Sequence, residues 1–184
     1  MTSEHCKLLN GEYYDYKDKE LLKLHKCAQK ITYKYNKTFD NTKKYRLLSK
    51  LLGKVGQNVN IETPFKVYYG KHIYVSDNTY INSCCQFYDD NEIFIGKNCW
   101  IGPDVKIYTS LHPLNPVERL QKNANYAKKV FIGDNVWICG SVVILPGVKI
   151  GDNSTIGAGS VVTKDIPENV KAFGNPCRVI SNIV

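Results

Sequence analysis

The sequence predicts a mainly β fold, a parallel β-helix of about five triangular coils, and three observations carry that prediction. Ile132, Ile138, Ile144, Ile150, Ile156 and Val162 follow one another at a strict spacing of six. Turn-forming residues punctuate the same stretch, with IGDN at 132–135, LPG at 145–147, IGDN at 150–153 and IGAG at 156–159. Upstream, the period continues in phased triplets: Val55, Ile61, Val67; then Val75, Ile81, Phe87; then Ile95, Ile101, Ile107. A period of six fits neither an amphipathic helix nor a plain alternating strand. Each hexapeptide would form one face of a coil, and stacked coils would bury an apolar axis that no single repeat can bury alone.

The elements follow in order. Residues 1–54 form a helical cap and residues 55–184 the β-helix domain, with a loop at 108–129 and a C-terminal tail. Within the cap, Asp18 to Ala28 carries Leu21, Leu22, Leu24, His25 and Ala28 on one face at helical spacing. Asp40-Asn41 offers an N-cap for a second helix over Lys43–Leu52, and Gly53 fits its C-cap. Such helices would cover the exposed strand edges of the first coil. Between triplets the step is eight at Val67 to Val75 and at Phe87 to Ile95, then twenty-five at Ile107 to Ile132. One corner therefore takes two extra residues in the early coils and extrudes a long loop from the third. With strands stacked at roughly 4.8 Å, five coils give a prism of roughly 24 Å. The last coil is expected to end near Val162, and Pro167, Gly174 and Pro176 predict an extended, turn-rich tail.

Composition narrows the function classes. The 184 residues suffice for one core without disulfide staples. The charged opening Met1-Thr2-Ser3-Glu4-His5-Cys6-Lys7 does not read as a secretory signal, and no apolar run reaches membrane-span length, so a cytoplasmic protein is expected. The cysteine count is seven, without a C-x-x-C pair, which points to reduced thiols rather than a disulfide framework or a zinc knuckle. Cys99 reads as core, and the adjacent Cys84 and Cys85 should face opposite sides of a strand. The net charge of +8 comes from scattered lysines, among them Lys71, Lys97, Lys106, Lys149, Lys164 and Lys171. It reads either as an ordinary solvated basic surface, which charge alone favours, or as one that attracts a phosphorylated cofactor, without a helix-turn-helix or aromatic RNA-binding signature.

The loop at 108–129 reads YTSLHPLNPVERLQKNANYAKK, and a connection of that length is usually functional or disordered. It carries His112, one of four histidines, with a backbone restrained by the following Pro113. His5, His25 and His72 lack such a context and read as structural.

Several motifs stand in a fixed order: GEYYD at 11–15, YDD at 88–90, TSLHP at 109–113, IGDNVWI at 132–138, ILPGVKIGDNSTIGAGSVVTKDIPENV at 144–170 and GNPCRVI at 174–180. In that order they resemble the hexapeptide-repeat acyltransferases, and within them the galactoside/maltose O-acetyltransferase family, over nearly the whole chain. The resemblance implies a left-handed helix, a homotrimer with active sites between neighbouring subunits, and transfer of an acetyl group from acetyl-CoA to a hydroxyl of a sugar or similar small acceptor. It places His112 as the catalytic base. That role suits an imidazole, which can take the hydroxyl proton during attack on the thioester and return it to the leaving thiolate. It assigns Asp15, Tyr68, Asn82 and Asp90 to the acceptor, where carboxylates and amides bond sugar hydroxyls directionally. On the coenzyme side it implies Gly140, Ala158, Thr163, Lys164 and Arg178. The small residues let a pantetheine arm approach the backbone, the Gly140 N–H can serve an oxyanion, and the cations suit phosphates. Trp137 reads either as a cofactor neighbour or as a corner aromatic at a subunit interface.

Three positions depart from the family pattern: Tyr68 in place of a small polar or acidic contact, Cys84 for an asparagine and Cys139 for a glycine. Tyr68 keeps a hydroxyl and adds a ring face, so poor turnover of unmodified galactosides or maltose and better turnover of a more apolar glycoside are expected. No cysteine sits in a motif with His112, which favours direct transfer over a cysteine-acetyl intermediate. The alternatives are a non-catalytic β-helix binding or assembly protein, and an amino-sugar or antibiotic acetyltransferase on the same fold. A metal-dependent lyase on such a helix would need about three histidines per zinc; His72 and His112 do not supply them, and no metal is expected.

Overall fold

The computed structural model describes residues 2–121 and 125–183. Short strands of two or three residues repeat along three faces, and every strand pairs in parallel with its equivalent one coil away. On the first face, Val55, Val75, Ile95, Ile132 and Ile150 stand in register. On the second, Ile61, Ile81, Ile101, Ile138 and Ile156 do the same. On the third, Val67, Phe87, Ile107, Ile144 and Val162 follow. Residues six apart in sequence thus fall on successive faces, every third one stacks on its equivalent in the neighbouring coil, and with the exception of half-buried Val55 they fill the buried axis. Cys99 joins that core. Cys85 is buried and Cys84 faces out, but the pair lies at the corner before the Gln86–Tyr88 strand and not on a strand as expected; Cys84 takes the left-handed turn position at φ 65°.

The corner between the first and second faces explains the GDN signature. Asn58, Asn78, Asn98, Asn135, Asn153 and Asn169 all adopt positive φ between 53° and 59°. Asparagine tolerates this left-handed conformation better than most residues. Their side-chain amides link coil to coil, from Asn98 to Asn135 at 3.0 Å, on to Asn153 at 2.9 Å and to Asn169 at 2.9 Å. Gly56, Gly96, Gly133 and Gly151, which precede four of these turns, allow close stacking: a Cβ on Gly96 would lie 2.4 Å from the Gly133 carbonyl oxygen.

Five coils are complete and a sixth is begun. Ile166 bridges Ile150 on the first face, and Val170–Phe173 adds a strand to the second. The chain then reverses, and Arg178–Asn182 pairs antiparallel with Val170–Phe173. The tail therefore continues past Val162 as a partial coil and a hairpin, burying Ile166, Val170 and Ala172. The six-period missed it because the step from Val162 to Ile166 is four.

The cap holds three helices: α1 (Glu4–Asn10), α2 (Lys19–Asn36) and α3 (Asn41–Leu51). The first lacks a long apolar face and is defined by its ends, Ser3 accepting from the Cys6 N–H and Gly11 closing it at φ 75°. The second begins where the segment starting at Asp18 was expected to, with Asp18 as its N-cap, but runs on to Asn36, two turns beyond the apolar stripe. There it meets the first coil. Asn36 accepts from the Phe65 N–H at 3.0 Å and donates to its carbonyl at 2.9 Å, and the Tyr35 hydroxyl donates to the Ile61 carbonyl. The exposed first edge is thereby paired by side chains. Asp40 caps α3 through the Lys43 N–H at 3.0 Å. Its C-cap is Leu52 in extended conformation rather than Gly53. Gly53 serves close packing instead, since a Cβ there would sit 2.4 Å from the Lys71 carbonyl. Among the described residues no helix is long and apolar enough to cross a membrane.

Candidate active site

The third corner, between the third and first faces, carries the extra residues. In the third coil it extrudes the long loop, whose described residues carry regular structure. Ser110–Leu111 pairs antiparallel with Tyr126–Ala127, and a single turn, α4 (Pro116–Arg119), starts at Asn115. Lys122, Asn123 and Ala124 lie outside the described residues. A small second core of Leu8, Tyr14, Leu21, Tyr69 and Ala127 seats the loop against α1 and α2. The Tyr14 N–H donates to the Asn125 carbonyl at 3.0 Å, so the GEYYD segment is stitched to the loop's returning strand.

Three consecutive side chains of the second coil organise this corner. Asn91, almost fully buried, donates its amide to the carbonyls of Leu8 at 3.0 Å and Ala127 at 3.2 Å, tying α1 to the loop. Asp89, fully buried, accepts at one oxygen from the N–H groups of Tyr68 and Tyr69, each at 2.9 Å, and at the other from His72 at 3.4 Å. Burial pushes its carboxyl up to about 8, against the pull of those N–H donors. Between them, Asp90 accepts from the Tyr14 hydroxyl at 3.0 Å. Burial raises the Asp90 carboxyl, while the bonds from Tyr14 and Ser110 and the nearby His112 draw it down. Burial and the Asp90 charge hold Tyr14 as the protonated phenol, so it donates.

Asp90 opens onto a cleft of 180 Å³ lined also by Tyr14, Tyr16, Tyr68, Tyr88, Ser110, His112 and Asn125. His112 is exposed and sits beside the buried Pro113. Tyr68 is braced by His25, whose ring stacks on it at 4.2 Å and whose Nδ1 lies 2.9 Å from its carbonyl oxygen. His72 is buried and held near pKa 4 chiefly by desolvation, with Nε2 2.9 Å from His5 Nε2 and Nδ1 2.7 Å from the Asp89 carbonyl oxygen. These three histidines brace the corner behind the cleft.

Of the residues singled out from the sequence, the cleft brings together Tyr68, Asp90 and His112. Asp15 lies between two lining tyrosines, and its carboxylate accepts from the Lys17 N–H at 3.0 Å. Asn82 does not join them in one chain. It stands at the second corner, where its Oδ1 accepts from the Ser83 N–H at 2.8 Å. Gly140 and Ala158 occupy the same corner two and three coils further on, with the Gly159 N–H donating to the Gly140 carbonyl at 3.0 Å. Thr163 and Lys164 are exposed at the third corner of the fifth coil, and Arg178 begins the terminal strand with one guanidinium nitrogen 2.8 Å from the Cys177 carbonyl. The chosen set thus divides over two corners that flank the third face. Trp137 lies within the second face, in register with Trp100, so it is a face residue rather than a corner one; the two are 53% and 66% exposed.

Tyr14, Tyr16, Tyr88, Ser110 and Asn125 were not singled out. Tyr14 and Tyr88 lie inside the GEYYD and YDD motifs, which marked their neighbours instead. Asp89 reads as an ordinary turn residue, and Asn91 carries no sequence signal. Among the described residues no group of three or more His, Cys, Asp or Glu is arranged to hold a metal ion.

Comparison with known proteins bears on this arrangement. Residues 129–164 match the bacterial transferase hexapeptide (six repeats) family, and residues 7–56 match the maltose acetyltransferase hexapeptide capping motif. A galactoside O-acetyltransferase of Lactococcus lactis is 42% identical over 171 residues, covering 91% of this chain and 82% of that protein. The crystal structure of a maltose O-acetyltransferase from Clostridium difficile 630 superposes with a TM-score of 0.97 at 44% identity, covering 100% of this chain and 98% of that one. A hexapeptide-repeat acetyltransferase from Vibrio cholerae, complexed with acetyl coenzyme A, superposes with a TM-score of 0.94 at 34% identity over 100% of both chains. The fold is accordingly the left-handed β-helix with N-terminal helices.

Proposed function

The chain belongs to the galactoside/maltose O-acetyltransferase family of hexapeptide-repeat acyltransferases, and from that premise we propose how its cleft performs the transfer. It is an acetyl-CoA-dependent O-acetyltransferase. The acceptor we propose is a sugar or related small polyhydroxyl compound, bound in the cleft of Tyr68, Asp90 and His112. The observation that carries this is the convergence of those three side chains from separate coils, walled in by the N-terminal segment.

His112 takes the proton of an acceptor hydroxyl as its oxygen attacks the thioester carbonyl. A C–O bond forms, and the carbonyl electron pair moves onto oxygen, where the Gly140 N–H donates to the developing charge. Collapse breaks the C–S bond, and His112 returns its proton to the leaving sulfur. The products are an O-acetyl ester and the free thiol of coenzyme A. Asp90 orients the acceptor. Tyr14 engages Oδ1, and Oδ2 accepts from a sugar hydroxyl. Asp15 and Asn82 add further bonds. Ala158 and Gly140 leave room for the pantetheine arm, with Thr163, Lys164 and Arg178 toward its nucleotide end.

The division of these residues over two corners supports a homotrimer, in which His112 of one subunit faces the Asn82–Gly140–Ala158 corner of the next. The seven free cysteines fit a reducing, cytoplasmic compartment. The test is an acceptor screen with acetyl-CoA, reading thiol release. Turnover with sugars or glycosides, lost in His112→Ala, is the expected result; absence of thiol release across hexoses, disaccharides and aryl glycosides would overturn the proposal.

A further inference from the structure

The net charge of +8 is concentrated in the cap, not scattered as expected. Residues 17–50 hold eleven of the 25 lysines and arginines and three of the 17 aspartates and glutamates, which accounts for all of it. The rest of the chain holds fourteen of each sign and is neutral. The excess charge therefore sits on α2, α3 and the residues beside them. We infer that this cap is a docking surface for the anionic headgroups of a phospholipid membrane, with the Phe39 ring as its apolar anchor.

Helical spacing lines the charges up. Lys19, Lys23, Lys26, Lys30 and Lys34 of α2, with Lys37 at its C-cap, are all exposed. At 3.6 residues per turn the six fall within an arc of about 80°, opposite the buried Leu21, Ala28 and Tyr35. The 18 residues of α2 make this a stripe about 27 Å long. The three carboxylates of the region are engaged elsewhere: Asp18 caps α2, Asp40 caps α3, and Glu20 faces His5 at 3.4 Å. Among the described residues none of the six ammonium groups has an ion-pair or hydrogen-bond partner. Like charges three and four residues apart on a helix repel, and an anionic surface relieves that repulsion.

The residue types select a lipid surface. Ten of the eleven cations are lysines, whose ammonium is a compact point charge. Arginine, whose planar fork grips the individual phosphates of a nucleic acid, occurs once in the region, at Arg46. Apolar side chains border the stripe. Leu22 and Tyr33 on α2 are 50% and 67% exposed, and Phe39, in the turn between α2 and α3, is 96% exposed. An aromatic ring at such a tip reaches below the headgroups while the lysine ammonium groups stay at their level. The apolar side of α2 is already spent on the core with α3 and the first coil, and no described helix is long and apolar enough to cross a membrane. The contact is therefore peripheral and mainly electrostatic. Each lysine near an anionic membrane surface strengthens it about fivefold.

The experiment is co-sedimentation of the full chain with phosphatidylcholine vesicles, prepared with and without phosphatidylserine. Wild type should bind only the vesicles that contain phosphatidylserine, and added sodium chloride should release it as screening increases. Lys23→Gln/Lys26→Gln/Lys30→Gln should weaken that binding about hundredfold, and Phe39→Ala about tenfold. Lys97→Gln/Lys149→Gln/Lys171→Gln removes the same charge from the coils and should weaken it far less. All of these side chains are exposed, and circular dichroism checks that each variant keeps the fold. Failure to bind phosphatidylserine vesicles, equal binding to both compositions, or equal loss in the two triple variants would overturn the docking surface. Binding unchanged in Phe39→Ala would overturn the anchor. Release of the protein from the vesicles by RNA or duplex DNA at equal total phosphate would assign the stripe to nucleic acid and overturn the lipid surface as well.

Discussion

Asp89→Ala should loosen the corner that positions Tyr68 and Asp90. The lost carboxylate accepts three backbone N–H groups, from Tyr68, Tyr69 and His72. The Tyr68 N–H keeps a second acceptor, the Phe87 carbonyl at 3.3 Å, so two donors are orphaned in a buried site. Each orphaned buried donor costs about 1–3 kcal/mol, or about 2–6 kcal/mol for the pair. Removing a carboxyl that burial already disfavours offsets part of this, leaving a net loss of about 1–3 kcal/mol. Asp89→Asn is the control. Its amide oxygen can accept the two 2.9 Å bonds and surrenders only the longer one from His72. Urea unfolding followed by circular dichroism reads stability, and steady-state kinetics read the acceptor KM and the acetyl-CoA KM separately. The alanine variant should lose stability and raise the acceptor KM with little change for acetyl-CoA, and asparagine should restore both. An alanine variant as stable as wild type, with an unchanged acceptor KM, would refute the claim that this carboxylate sets the corner.

Further expectations concern the base, its neighbour and pH. His112→Ala should lower kcat by about 10²–10⁴-fold while acetyl-CoA affinity, measured by titration, stays near wild type; unchanged kcat would assign the base elsewhere. Tyr14→Phe removes the donor to Asp90 and should raise the acceptor KM and destabilise the fold by about 1–3 kcal/mol, checked by the same two assays. Asp89 and His72 should bend stability against pH in opposite directions. The Asp89 carboxyl is raised in the folded state to about 8, so its contribution is full in acid and is lost as pH rises toward that value. His72 is lowered to about 4, so its contribution is full above its ordinary range near 6.5 and is lost as pH falls toward 4. The melting temperature of Asp89→Asn relative to wild type should therefore climb steadily from pH 4 to pH 8; a flat difference would contradict the assignment.

The coils were legible because their cause is periodic. Each aliphatic at the six-period faces the axis, and each Asn at the first corner relieves a left-handed turn, so composition and geometry repeat together. His112 was legible for a different reason, as a histidine before proline in the one long interruption. What was not legible depends on contacts between distant segments. Asn91 matters because it reaches the carbonyls of Leu8 and Ala127, 83 and 36 residues away in sequence. Asp89 looks like any turn aspartate until three N–H groups converge on it. The helix end at Asn36 is set by the Phe65 edge it clamps rather than by its apolar stripe. The sixth, partial coil breaks the period, so pattern alone stopped at Val162.

The central claim is a site shared between chains, and subunit mixing tests it most directly. Differently tagged His112→Ala and Ala158→Trp chains, each inactive alone, are co-expressed and the mixed trimers isolated. One lacks the base; the other has its coenzyme corner blocked. If His112 of one subunit works with the corner of the next, each mixed trimer holds one intact site among its three interfaces, and thiol release should recover to about a third of the wild-type rate. Mixed trimers that form but stay as inactive as their parents would contradict the shared site and place the whole reaction within one chain.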